Sequence, residues 1–145
     1  MHPPDPPHPY FRTDLLTGSL NLLQFSEALS NNFGNHRLAP LSLVALDICD
    51  LRGINARRGH DFGDQVLRWM TFCIKDLISK EVYRISGDDF IAVLIGETHQ
   101  AHVQKARALF DKINRDSAQL GLSVPLARIT VFNIPEGVVC NPALI

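Results

Sequence analysis

Leu22, Phe25, Leu29 and Phe33 recur at steps of three and four, so the spacing predicts a helix from about Leu20, with Ser19 as N-cap and Gly34-Asn35 as its stop. The run "LSLVALDI", Leu41 to Ile48, follows Pro40 and is too short and too uniformly apolar for a surface helix. It reads as a buried strand with one charge, Asp47. After a connecting segment, Val66, Met70, Cys73 and Leu77 mark one face of a helix from Phe62 to Ile78. Two short strands, "VYRI" and "FIAVLI", then flank Ser86-Gly87-Asp88-Asp89, whose glycine and aspartates suit a hairpin turn. Val103, Ala106, Phe110 and Ile113 trace another helix, and "LARITVFNI" supplies a last strand. The order α, β, α, β, β, α, β predicts an α+β domain, a mostly antiparallel central sheet flanked by helices. No internal repeat interrupts it.

Bulk properties narrow the function classes. A chain of 145 residues that is 46% hydrophobic and 20% charged fits one globular core. A formal net charge of −1 with scattered basic residues argues against a nucleic-acid duplex or an anionic membrane as partner. Cys49, Cys73 and Cys140 are far apart and form no metal or disulfide pattern, which suits a reducing cytoplasm. The start, "MHPPDPPHPY", has no secretory pattern, and no apolar run is long enough to span a bilayer, so a soluble cytoplasmic protein is expected. Five prolines in the first ten residues make residues 1–12 an extended arm, with the globular domain at 13–145.

The chemistry concentrates on carboxylates. Asp47 at the end of a buried strand is costly unless paired, hydrogen-bonded or bound to a cation. If its strand and the hairpin share a sheet, Asp47 meets Asp88 and Asp89 at one edge. Convergent oxygens of this kind suit Mg²⁺, which takes one or two carboxylates and completes its shell with water and phosphates, so a nucleotide is the implied companion. Gly87 lets the backbone approach those phosphates. Each residue also has a plainer reading. Asp64 suits a helix N-terminus, Asn55 a turn, Arg57 and Arg58 a solvated surface pair, and Tyr83 and Phe90 packing on the hairpin.

Three blocks in order, "DLLTGSLN" from Asp14, "LDICDLRGINARRGHDFGDQVL" from Leu46 and "RISGDDF" from Arg84, resemble the GGDEF family, the diguanylate cyclases of bacterial cyclic di-GMP signalling. The similarity spans roughly residues 14 to 134 and implies the palm-like nucleotide-cyclase fold. It implies Asp47, Asp88 and the Ile48 carbonyl as ligands of Mg²⁺ or Mn²⁺, and Asp88 with Asp89 as the catalytic acids. It further implies Asn55 and Asp64 as readers of guanine, with Arg52 and Gly87 near the phosphates. An ionised Asp accepts from the guanine ring N–H and amino group, and an Asn donates to O6. Gly59 and His60 read as turn and packing residues. The implied partners are GTP or a related guanine nucleotide, and a second copy or another signalling protein, because in the family two domains face each other, each with one GTP.

The departures from the family pattern bear on turnover. Ser86 replaces the first glycine of the signature, Asp89 its glutamate, and Cys49 the second acid of the strand motif. Asp for Glu shortens the reach by about 1 Å, and displacements of that size cost ~10²-fold in rate. The usual last helix, with its phosphate-gripping Lys and Arg, has no counterpart before the chain ends at "PEGVVCNPALI". The segment "LISKEVYRI" also lacks the R-x-x-D of the family's inhibitory product site. The expectation is a degenerate domain that binds a guanine nucleotide with a metal and has weak or no cyclase turnover. An active diguanylate cyclase is the alternative.

Overall fold

The structure, a computed structural model, describes residues 12–31 and 40–134. Most of the proline arm, Phe33, the Gly34-Asn35 stop, Cys140 and the carboxy-terminal stretch lie outside the described residues. The elements are α1 (Leu22–Ser30), β1 (Leu41–Ile48), α2 (Leu51–Arg58), α3 (His60–Leu77), β2 (Val82–Ser86), β3 (Asp89–Ile95), α4 (His99–Gln119) and β4 (Ala127–Ile134). The strands form one sheet in the order β2-β3-β1-β4, with every neighbouring pair antiparallel. β1 is therefore enclosed between two strands and carries apolar residues on both faces.

Residue parity along β1 sorts the core. Val44, Leu46 and Ile48 face α3 and α4 and pack with Met70, Leu109 and Ile113, among others. Truncating one of those buried side chains to alanine costs about 2–5 kcal/mol. Leu41 and Leu43 join Phe25, Leu29, Tyr83 and Val93 in a smaller cluster under α1. The Phe25 and Tyr83 rings meet edge to face at 5.2 Å. Tyr83 and Phe90 are thus packing residues on opposite faces, as their alternation implies. Cys73 is buried in the larger core, and that burial pushes its thiol up to about 11, which makes it inert packing.

Several local expectations are corrected. The segment between β1 and α3 is itself helical. Asp50, in the left-handed region at φ 58°, caps α2 by accepting from the Gly53 N–H at 3.0 Å. Gly59, at φ 88°, turns the chain from α2 into α3, a conformation that favours glycine. Ser19 is not the cap of α1. Asn21 is, accepting from the Gln24 N–H at 3.0 Å, while Ser19 is buried beside Thr17. Leu22 points to solvent, and Phe25 and Leu29 carry the buried stripe. On α4 the inward stripe is His102, Ala106, Leu109, Ile113 and Ser117, so Phe110 faces outward.

Candidate functional site

Backbone pairing places the hairpin tip against the end of β1. Ser86 pairs with Asp89 after a register shift in β2, leaving Gly87 and Asp88 as the tip, and Asp89 pairs in turn with Asp47. The Ile48 N–H donates to the Asp88 carbonyl at 2.9 Å, which ties the tip to β1. Arg84 braces it from behind. Its Nη2 donates to the Gly87 carbonyl at 2.7 Å, and its Nη1 lies 3.1 and 3.0 Å from the two Asp14 oxygens. Burial pushes the Asp14 carboxyl up, but hydrogen bonds from Thr17 and Arg84 outweigh it and hold the group below its ordinary value.

One oxygen from each of Asp47, Asp88 and Asp89 falls within 4.8 Å of the others, so the three expected carboxylates do converge. Hard oxygen donors in this arrangement fit Mg²⁺ or Mn²⁺. The Ser86 hydroxyl, 2.5 Å from Asp89 Oδ2, draws the Asp89 carboxyl down. Burial and the neighbouring Asp47 and Asp88 together prevail, and its pKa is raised. One cation also enters the cluster: Arg128, the register partner of Asp47 on β4, places Nη2 2.6 Å from Asp47 Oδ2.

The acids border two cavities. One, of about 450 Å³, is lined by Arg52, Asn55, Ala56, His60, Gly87 and Asp88, together with Leu51. It gathers three of the expected ligand-binding residues, with Asp88 and the unexpected His60 beside them. Asn55 Oδ1 is buried without a hydrogen-bond partner, packed against Gly63. Gly63 makes room for it, since a Cβ there would lie 1.7 Å from that oxygen. Asp64, half-buried on α3, is not among the residues lining this cavity. The second cavity, of about 430 Å³, opens on the other face of the sheet beside Ala45, Asp47, Ile85, Asp89, Arg128 and Thr130.

Arg128, Arg84 and Asp14 were missed as site residues because their partners are remote in sequence. Arg57 and Arg58 are more than a solvated pair. Arg57 lies 3.5 Å from Asp50, while Arg58 stacks 3.8 Å above the Phe62 ring and donates to the Leu120 carbonyl at 3.1 Å. Among the described residues no helix is long and apolar enough to cross a membrane.

Comparison with known proteins agrees with the fold and the motif blocks. The family model "Diguanylate cyclase, GGDEF domain" matches residues 11–142. The cyclic di-GMP phosphodiesterase NbdA of Pseudomonas aeruginosa is 33% identical over 103 residues, covering 68% of this chain and 13% of that protein. The diguanylate cyclase DgcS of Shewanella oneidensis is 30% identical over 92 residues, covering 61% of this chain and 31% of that protein. The chain thus spans less than a third of the length of either curated relative. Among solved structures, a microbial GGDEF domain described with cyclic di-GMP superposes with a TM-score of 0.73 at 22% identity, covering 90% of this chain and 83% of that one. The FimX GGDEF domain of Pseudomonas aeruginosa follows at 0.72 and 15% identity, covering 88% of this chain and 82% of that one. These likenesses establish the palm-like α+β fold.

Proposed function

The chain belongs to the GGDEF domain family of cyclic di-GMP signalling, and from that premise we propose that it binds a guanine nucleotide with Mg²⁺ or Mn²⁺ and turns it over weakly or not at all. The observation that carries this reading is the convergence of Asp47, Asp88 and Asp89 beside a cavity lined by Arg52, Asn55 and Gly87. Asp47, Asp88 and the Ile48 carbonyl hold the cation in this reading. A bound divalent ion would neutralise phosphate charge and ease deprotonation of an attacking hydroxyl. Arg52 and the Gly87 backbone receive the phosphates, and Asn55 with Asp64 reads the base.

Weak turnover is inferred from Asp89. Its carboxylate is one methylene shorter than the family's glutamate, is engaged by the Ser86 hydroxyl, and is crowded by Asp47 and Asp88. Positioning and charge neutralisation supply most of the catalysis of phosphoryl transfer, so a short, diverted acid weakens it. The complete three-carboxylate cluster favours a second reading, an active diguanylate cyclase working as a homodimer.

Calorimetric titration with GTP and ATP in Mg²⁺, followed by assay for cyclic di-GMP, tests both readings. GTP should bind roughly tenfold or more tightly than ATP, a margin that Asp64→Ala should erase, with little or no product formed. Equal affinity for the two nucleotides would overturn the guanine assignment. Robust cyclic di-GMP synthesis that Asp88→Ala abolishes would establish the second reading instead.

A further inference from the structure

Arg128 reaches the carboxylate cluster because β4 runs antiparallel to β1 with Arg128 opposite Asp47, on the sheet face that also carries Asp89 and Thr130. Its Nη2 lies 2.6 Å from Asp47 Oδ2, on a carboxylate that the metal-site reading assigns to the cation. Magnesium sits about 2.0–2.1 Å from its ligand oxygens. A guanidinium bound to the same carboxylate would therefore repel an arriving ion and compete for its negative charge. The guanidinium also has freedom to leave, since the Arg128 side chain is 74% exposed and that of Asp47 is 35% exposed.

We propose that Arg128 is a built-in counter-ion that competes with the divalent cation for Asp47, so that metal binds as the guanidinium swings away. The inference rests on the metal-site reading above and adds a regulatory element to it. Arg128 acts as an attenuator rather than a lock, because an exposed ion pair is readily broken. It sets the cation concentration at which the site fills, and at low metal it keeps the Asp47 charge compensated.

The test is Mn²⁺ titration of the full chain without nucleotide, with free Mn²⁺ followed by electron paramagnetic resonance. Wild type is compared with Arg128→Ala, Arg128→Lys and Asp88→Ala. Removing the competing charge should tighten Mn²⁺ binding about three- to tenfold in Arg128→Ala. Arg128→Lys should remain within about twofold of wild type, because it keeps the charge. Asp88→Ala should weaken binding. If Arg128→Ala binds Mn²⁺ no more tightly than wild type while Asp88→Ala still weakens it, the counter-ion role is wrong and the metal site survives. Arg128→Lys matching the alanine variant would also overturn the role. Mn²⁺ binding that is indifferent to Asp88→Ala would remove the metal site itself, and this inference with it.

Discussion

Arg84 and Arg128 each bind an aspartate remote in sequence, one on each side of the hairpin tip, yet their surroundings give the two pairs different work. Arg84 and Asp14 are mostly buried, with side-chain exposures of 15% and 23%. Arg84 contacts both carboxylate oxygens and the Gly87 carbonyl, and Thr17 completes the shell around Asp14. Arg128 makes one contact to Asp47 from a largely exposed position. Burial and multiple hydrogen bonds turn the first pair into a brace, since losing either partner strands a desolvated charge. Exposure leaves the second as a contact that water, salt or a metal can replace.

The largest effect should come from breaking the brace. Arg84→Ala is expected to lower the unfolding free energy by about 2–4 kcal/mol, read from urea denaturation, because Asp14 loses its cation and the Gly87 carbonyl its donor. A loss below about 1 kcal/mol would erase the distinction between the pairs.

The acid response should separate Asp14 from Asp89, whose carboxyl groups are shifted in opposite directions. For Asp14 the folded pKa is depressed. Its contribution is complete above the ordinary carboxylate value of about 3.9 and is lost as pH falls through the lower folded value. For Asp89 the folded pKa is raised, so the folded state binds its proton more tightly than the unfolded chain does. Its contribution therefore grows as pH falls from the raised value to the ordinary one and then levels off. Urea midpoints measured against pH should show Asp89→Asn losing that gain on mild acidification and Asp14→Asn losing part of the drop in stronger acid. An Asp89→Asn profile that overlays wild type would contradict the crowded-carboxylate account.

The smallest effect is expected at the exposed pair. Arg128→Ala should leave the urea midpoint close to that of wild type in the same assay. A drop in the midpoint as large as that of Arg84→Ala would place Arg128 beside Arg84 as a structural residue, and the tighter Mn²⁺ binding expected of that variant would need another explanation.

The amino-acid sequence alone determined the elements whose periodicity is strong and local. Val66, Met70 and Cys73 on α3, the apolar run of β1 and the Ser-Gly-Asp-Asp turn could each be read from neighbours a few residues away. So could the meeting of Asp47 with Asp88 and Asp89, once β1 and the hairpin were assigned to one sheet. Short-range patterns failed where two faces were nearly equivalent or where no stripe existed. Leu109 and Phe110 are adjacent and both apolar, and only packing against the sheet selects Leu109 as the buried one. α2 buries little beyond Ile54, so no stripe announces it, and its start depends on the cap and left-handed backbone of Asp50. The tertiary structure alone decided that Arg128 stands opposite Asp47 and that Arg84 finds Asp14, across 81 and 70 residues of chain. Those meetings follow from strand order and register, which are fixed by packing and hydrogen bonding summed along whole strands, and no local pattern of residues carries that sum.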